Sequence, residues 1–204
     1  MSQKEKKKNA QEEIMGKKLT VKEIVCGGMF TALVAAGAFI QVPVPGMDYF
    51  TLQFLFVLLA GMILGYKMGA VSVGVYVLLG LCGLPIFAAG GGIAYIFRPS
   101  FGYLMGFILA AFLVGLIVEK SGIRGYGKYL IAAFGGFVVT YAIGLVYKYM
   151  MLNYYVGEKT AFAMVLADCF PLDMPGDMVL CFLAAGLAVR LVPASRSILG
   201  TLAE

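Results

Sequence analysis

Hydrophobic residues along this chain are grouped into six long stretches with short polar segments between them. The stretches are Ile24–Val42, Thr51–Tyr66, Met68–Phe87, Phe101–Val118, Tyr129–Met150 and Met174–Val192. Because a hydrocarbon layer about 30 Å thick is crossed by roughly 20 apolar residues in a helix, each stretch predicts a transmembrane helix. The second and third stretches meet at Tyr66 and Lys67, so these two predict a tight helical hairpin.

The composition excludes an ordinary soluble domain. Hydrophobic residues make up 61% of the 204 residues, charged residues only 13%, and the mean hydropathy is +0.91, whereas soluble domains are roughly 45 to 50% apolar. We therefore predict an all-α integral membrane protein, a compact bundle of six transmembrane helices over residues 19–204. Residues 1–18 predict a basic, disordered cytoplasmic tail, and Thr20 with Glu23 predicts a capping box that starts the first helix.

Lysine and arginine are distributed unevenly between the two ends of the predicted helices. One side holds 13 of the 16: Lys4, Lys6, Lys7, Lys8, Lys17, Lys18, Lys22, Lys67, Lys120, Arg124, Lys128, Arg190 and Arg196. The other side holds Arg98, Lys148 and Lys159. Since an excess of Lys and Arg marks cytoplasmic loops, we predict a multi-pass protein of the cell membrane with both termini cytoplasmic. On this interpretation the pI near 9.0 reflects topology rather than nucleic-acid binding.

Missing residue types argue against several function classes. The chain has no His, which removes the commonest catalytic acid or base, and its remaining carboxylates are scattered. Its four cysteines show no paired spacing of the kind that binds zinc. No Gly-x-x-x-x-Gly-Lys-Ser/Thr motif occurs, so the chain has no ATPase of its own. We predict a protein that is not an enzyme and that uses no metal or cofactor.

A single cation interrupts the longest uncharged part of the chain. The thirty residues from Met68 to Phe97 and the twenty from Pro99 to Val118 contain no Asp, Glu, Lys or Arg, and Arg98 lies between them. An unpaired Arg at the bilayer centre costs at least about 2.5 to 3.5 kcal/mol. We therefore expect Arg98 at the membrane interface or in a wet cavity, where it would bind an anionic ligand.

Aromatic residues and glycines flank this cation. The run Gly90, Gly91 and Gly92 predicts irregular backbone, which a membrane protein tolerates only inside protein or beside an aqueous cavity. After Arg98, the predicted helix places Gly102 and Gly106 on one face, so Tyr103 and Phe107 are expected beside a groove for a flat ring. The alternative for these two aromatic residues is a role as membrane anchors.

Two further polar residues lie near the same predicted outer side. Asp177 is placed at the N-terminus of the last helix, where the helix dipole favours a carboxylate. It acts there either as a cap or as a contact to the ligand or to Arg98. Gln53, near the outer end of the second stretch, is another candidate donor and acceptor. Asp48 and Asp168 are expected in solvated loops.

Small residues recur on one face of the first predicted helix. Gly28, Ala32 and Ala36 are spaced four residues apart, which lets another helix approach to near backbone contact. The face is predicted either to pack within the bundle or to dock a helix of a partner protein.

These residues together resemble the BioY family of biotin transporters, the substrate-binding S components of energy-coupling factor (ECF) importers. The resemblance rests on the six stretches and on three motifs. The motifs are Gly80-Leu81-Cys82-Gly83-Leu84-Pro85-Ile86-Phe87 with Gly90-Gly91-Gly92, then Pro99-Ser100-Phe101-Gly102-Tyr103-Leu104-x-Gly106-Phe107, and Pro175-Gly176-Asp177. The resemblance covers nearly the whole chain beyond the tail.

The resemblance implies a protein that binds biotin from the outer face and associates with a transmembrane coupling subunit and a pair of ATPases. It implies that the face formed by Ala32, Ala36 and Gly28 docks that coupling subunit. The chain departs from the family pattern in two places. Many relatives have Thr-Gly-Gly-Tyr where this chain has Ser100-Phe101-Gly102-Tyr103, and a Lys where this chain has Leu180, which leaves open how the charge of the ligand is met.

The parts of biotin suggest roles for the candidate residues. Arg98 is expected to pair with the carboxylate, and Asp177, together with Gln53, to accept the ureido N–H groups. Tyr103 and Phe107 are expected to cover the ring system beside Gly91 and Gly92. In a partly reversed assignment, Arg98 orients Asp177 instead.

Two other functions remain open from the sequence. An S component for a different vitamin would keep the bundle and the docking face but change the pocket. A self-sufficient secondary transporter usually shows internal repeats and ionisable residues at the membrane midplane, neither of which is evident here.

Overall fold

The computed structural model describes residues 20–42, 50–122, 125–169 and 173–199. Its α-helices are α1 (Val21–Phe39), α2 (Gln53–Leu81), α3 (Phe101–Lys120), α4 (Tyr126–Met150), α5 (Phe162–Cys169) and α6 (Asp173–Leu199). A 3₁₀ helix (Ile93–Phe97) precedes α3, and a π-helical segment (Met151–Val156) continues α4. Strands β1 (Gln41–Val42) and β2 (Phe50–Thr51) pair antiparallel. The predicted tail, residues 1–18, and Asp48 lie outside the described residues.

Five helical segments are long and apolar enough to cross a membrane, judged by length and composition over the described ranges. They are Val21–Phe39, Gln53–Leu81, Phe101–Lys120, Tyr126–Val156 and Asp173–Ser195. The chain is thus a mostly helical, multi-pass membrane protein, as predicted. The count is five rather than six because the second and third predicted helices fall within the single element α2.

A reversal at Gly65 divides α2 into two arms. Gly65 has φ +80° and ψ 176°, a conformation that L side chains rarely adopt. Gln53 Nε2 lies 2.5 Å from Tyr76 Oη, whereas 23 residues of continuous helix would separate them by roughly 34 Å. The backbone around Gly69 likewise lies against Ala60. These contacts confirm the predicted hairpin, with its turn at Gly65.

The third predicted helix ends earlier than its apolar stretch indicates. The structure ends α2 at Leu81, and the residues up to Gly92 form turns instead of continuing as helix to Phe87. Gly83 has φ +108°, and Pro85 has no N–H to continue the helical hydrogen bonds. Hydrophobicity alone was therefore a poor guide to where this helix stops, because these residues are apolar but not helical.

The two arms of α2 form the centre of the bundle. Helices α1, α3 and α6 pack against α2, and α4 packs against α3 and α6. The core includes Phe54, Leu58, Val114 and Ala184, each at most 1% exposed. Many outward-facing residues are also apolar, such as Phe182, which is 47% exposed. Apolar residues both inside and outside are typical of a bundle surrounded by lipid.

The starts of α1 and α3 differ in their side-chain capping. At α1, Glu23 N–H donates to Thr20 Oγ1 and the Glu23 carboxylate accepts from Thr20 N–H, so the predicted capping box is confirmed. At α3, Ser100 occupies the N-cap position but its side chain makes no capping hydrogen bond. Pro99 lies just before this N-cap, and the helix begins at Phe101.

Candidate functional site

A cavity opens at the end of the bundle where α2, α3 and α6 begin and α4 ends. We call this the cavity end. The cavity holds about 680 Å³, part of it open to solvent. Its wall is formed by Thr51, Gln53, Ala88, Ala89, Tyr95, Ser100, Tyr103, Leu104, Phe107, Tyr141, Lys148, Cys169 and Asp173. Apolar walls with a few converging polar groups are typical of small-molecule sites.

Gln53 lies in this wall at the first turn of α2 and is 4% exposed. Its Nε2 donates to Tyr76 Oη at 2.5 Å, and its Oε1 accepts from Thr51 Oγ1 at 3.2 Å. Tyr76 in turn donates to the Ile86 carbonyl at 3.1 Å. This chain of hydrogen bonds fixes the Gln53 amide in position and ties the loop after α2 to both arms of the hairpin. An amide has two donors and two acceptor lone pairs, so each end retains capacity for a ligand.

Tyr103 and Phe107 also line the cavity, one turn apart on α3. The ring of Tyr103 packs edge-on against Tyr141 with 5.7 Å between centroids, and Phe107 stacks near Phe54 at 6.0 Å. The Tyr103 hydroxyl is in hydrogen-bond contact with Cys169 Sγ at 3.1 Å. The two aromatic residues are therefore brought together in the wall.

The groove expected beside Gly102 and Gly106 is not open. A methyl group at Gly102 would overlap the side chain of Tyr147, and one at Gly106 would come within 3.0 Å of the Thr140 backbone. Helix α4 fills this space, so these glycines permit close packing of α3 on α4. The cavity lies instead beside the neighbouring face of α3, which carries Tyr103 and Phe107.

Asp177 lies one turn into α6, next to the cavity wall. It is not one of the lining residues, but its Oδ2 accepts a hydrogen bond at 2.9 Å from the hydroxyl of Tyr141, which does line the cavity. Tyr141 is 4% exposed and its ring packs on Phe137 at 4.5 Å. Tyr141 thus connects the carboxylate of Asp177 to the cavity. No feature of the sequence indicated this position of Tyr141.

Arg98, Gly91 and Gly92 lie outside the described lining. Arg98 is exposed, and its guanidinium lies over the ring of Tyr95 at 5.4 Å from the centroid. A methyl group at Gly91 would overlap the Leu84 carbonyl, and Gly92 N–H donates to the Gly80 carbonyl at 2.7 Å. The glycines therefore let the loop fold tightly over the end of α2. This loop carries Ala88, Ala89 and Tyr95 into the cavity wall.

Lys148 was missed as a site residue. It lies two residues before the end of the predicted stretch Tyr129–Met150, yet its side chain is only 12% exposed and lines the cavity. Its Nζ lies 3.9 Å from Asp168 Oδ2 and 3.9 Å from Cys169 Sγ. Burial raises the pKa of the Cys169 thiol. The sequence feature that could have indicated this role is the charge of Lys148 near the end of a predicted transmembrane helix.

The small-residue face of α1 points away from the bundle. Gly28, Ala32 and Ala36 are exposed, and a methyl group added at Gly28 would meet nothing within 4 Å. The opposite face of α1 packs on α2, where Thr31 Oγ1 donates to the Ser72 carbonyl at 2.9 Å. Within the described part of the chain, this face is therefore not packed inside the bundle, which is the first of the two sequence alternatives.

The sequence of this chain is similar to that of a known protein family. The model of the BioY family matches residues 9–197. The chain belongs to the BioY family. A curated member named "Probable biotin transporter BioY" from Lysinibacillus sphaericus is 39% identical over 183 residues, which cover 90% of this chain and 93% of that protein. The biotin transporter BioY of Thermotoga maritima is 42% identical over 139 residues, or 68% of this chain and 78% of that protein.

A solved structure has a similar fold. The crystal structure of an S component for biotin from an ECF-type ABC transporter has a TM-score of 0.72 with this fold and 25% sequence identity. The match covers 84% of this chain and 90% of that one. The helices that surround the cavity thus belong to a fold shared with an S component for biotin.

Proposed function

We propose that this protein takes up biotin across the cell membrane as the substrate-binding S component of an ECF-type importer. The observation that carries the proposal is the match of the BioY family over residues 9–197, together with a cavity at one end of the matched fold. Transport, rather than catalysis, is the activity that the named relatives share.

The chemistry of the cavity suits the parts of biotin. The ureido group donates and accepts hydrogen bonds, for which Gln53 and the Tyr141–Asp177 pair are the proposed partners. The rings of Tyr103 and Phe107 would cover the bicyclic ring system and the apolar chain. Asp177 would act on the ligand through, or together with, the hydroxyl of Tyr141.

The residues outside the lining take supporting roles in this proposal. Gly91 and Gly92 would shape the loop that closes over the cavity. Arg98 is exposed near the cavity end, and its positive charge would attract an anionic vitamin and pair with it during entry.

We further propose six membrane crossings, with each arm of the α2 hairpin counted separately. The described cations at the end opposite the cavity are Lys22, Lys67, Lys120, Lys128 and Arg190, and this excess marks a cytoplasmic side. Both termini, including the tail of residues 1–18, would then be cytoplasmic and the cavity would face outward. The exposed apolar side chains would contact the lipid bilayer.

Energy for uptake would come from partner subunits. The chain lacks a phosphate-binding Gly-x-x-x-x-Gly-Lys-Ser/Thr motif, so a pair of ATPases and a transmembrane coupling subunit would supply the work. The exposed face of Ala32, Ala36 and Gly28 on α1 is the proposed docking site for the coupling subunit, because small side chains allow close helix contact.

Uptake of labelled biotin into cells that lack their own biotin transporter tests the proposal. The protein is expressed with a coupling subunit and ATPases, with the same partners carrying an inactive ATPase, or without partners. We expect uptake only with active ATPases. Concentrative uptake without any partner would instead support a secondary transporter, and uptake of another vitamin in place of biotin would support a different S component.

A further inference from the structure

Lys148 is a part-buried cation in the cavity wall. A Lys side chain normally extends its charged end into water, but the Lys148 side chain is 12% exposed. Among the described residues that line the cavity, Lys148 is the only cation. Its position therefore places one positive charge in a wall that also carries the carboxyl group of Asp173.

The described contacts of this ammonium are long and leave donors available. Nζ has three N–H donors, and its partners are Asp168 Oδ2 and Cys169 Sγ, both at 3.9 Å. The side chain of Asp168 is 50% exposed, so water can solvate it when it moves away. Because Asp168 is half-exposed and the N···O distance is long, this pair is weak, and a ligand carboxylate that reaches Nζ can replace Asp168.

Helix α4 places Lys148 in line with the deeper polar group of the cavity. Tyr141 and Lys148 are two turns apart on one face, about 10 Å along the helix. Gly144 lies between them, and the ring of Tyr103 rests against it. The wall thus runs from the Tyr141 hydroxyl, past an aromatic ring, to an ammonium. That order matches a ligand with a polar head, an apolar middle and an anionic end.

Among the described residues, no second cation lines the cavity. Arg98 is exposed and its guanidinium lies over Tyr95.

From this geometry we propose that Lys148 binds the carboxylate of biotin. The inference rests on the proposed biotin function. It makes Lys148 the residue by which this chain distinguishes an acid from its neutral derivatives.

Equilibrium binding of biotin and of uncharged biotin amide to purified protein tests this role. The variants are Lys148→Met, Lys148→Arg and Arg98→Met, with Lys159→Met as the matched control, since Lys159 is an exposed cation. We expect Lys148→Met to lose affinity for biotin by about 10- to 100-fold while its affinity for the amide changes by less than about threefold. Lys148→Arg should keep most of the preference for biotin, and Lys159→Met should bind both ligands as the wild type does.

The outcomes separate this inference from the proposed function. Retained amide binding also reports that Lys148→Met is folded. An unchanged preference for biotin in Lys148→Met, or an equal loss for both ligands, contradicts the role of Lys148. Loss of the preference in Arg98→Met alone assigns the carboxylate to Arg98 instead. Failure of the folded wild type to bind either ligand contradicts the proposed function, and the role of Lys148 with it.

Discussion

The hydroxyl of Tyr141 donates a hydrogen bond to Oδ2 of Asp177 at 2.9 Å and so joins α4 to α6 beside the cavity. Tyr141 lines the cavity, whereas Asp177 lies behind it. A ligand that contacts the Tyr141 hydroxyl would therefore act on the contact between α4 and α6.

Tyr141→Phe should weaken both folding and biotin binding. The change leaves a part-buried carboxyl without this donor, which costs about 1 to 3 kcal/mol of stability, and removes a polar contact from the cavity. Thermal unfolding and biotin titration measure the two effects. Tyr149→Phe is the control, because it makes the same chemical change on the same helix outside the lining. Equal behaviour of the two variants would contradict the role of Tyr141.

Gly144→Ala should push Tyr103 into the cavity. A methyl group at Gly144 overlaps the Tyr103 ring, and overpacking of this kind costs about 1 to 3 kcal/mol. We expect lower thermal stability and weaker biotin binding. In Gly74→Ala, the added methyl group meets nothing within 4 Å, so this control should be neutral or more stable by up to about 1 kcal/mol. Wild-type affinity in Gly144→Ala would show that the Tyr103 ring does not shape the site.

Cys169 offers a chemical reporter inside the cavity. It is 1% exposed, and burial raises the pKa of its thiol, while the thiolate is the form that reacts with maleimides. We expect Cys169 to be labelled more slowly than the exposed Cys82. Because the pKa is raised, the Cys169 rate should keep rising with pH above the usual thiol range.

Biotin should slow the labelling of Cys169 further and leave Cys82 unaffected. Mass spectrometry of proteins that retain one cysteine each measures both rates. Equal Cys169 rates with and without saturating biotin would place the ligand elsewhere.

Ala32→Leu combined with Ala36→Leu should separate binding from transport. Both residues are exposed on α1, so larger side chains leave the bundle intact but obstruct close approach of a partner helix. We expect normal biotin binding by the purified variant and loss of ATPase-dependent uptake. Ala142→Leu, at an exposed position of α4, is the control and should transport normally. Normal uptake by the double variant would contradict docking at this face.

The fold was largely predictable because membrane helices depend on local composition. The apolar stretches marked the helices, and the Thr20 and Glu23 pair marked the start of α1. The limits of α2 were not predictable from hydrophobicity, because the chain between Cys82 and Gly92 is apolar but turns back on itself. There the backbone conformation of glycine and proline determines the structure.

The candidate site was predictable only in part. Gln53, Tyr103 and Phe107 reach the cavity because each lies near the end of a helix at the predicted side. Tyr141 and Lys148 were missed because their role depends on which face of α4 turns inward. That face is set by the packing of α3 on α4 through Gly102 and Gly106, a tertiary contact that the pattern of one helix does not contain.

Equilibrium binding of labelled biotin to the purified, detergent-solubilised protein tests the central claim most directly, with Asp177→Asn measured alongside and other vitamins as competitors. We predict saturable binding at one site that unlabelled biotin displaces, that other vitamins do not displace, and that Asp177→Asn weakens. Absence of binding to the folded wild-type protein, or equal displacement by an unrelated vitamin, would contradict the assignment of this protein as a biotin carrier.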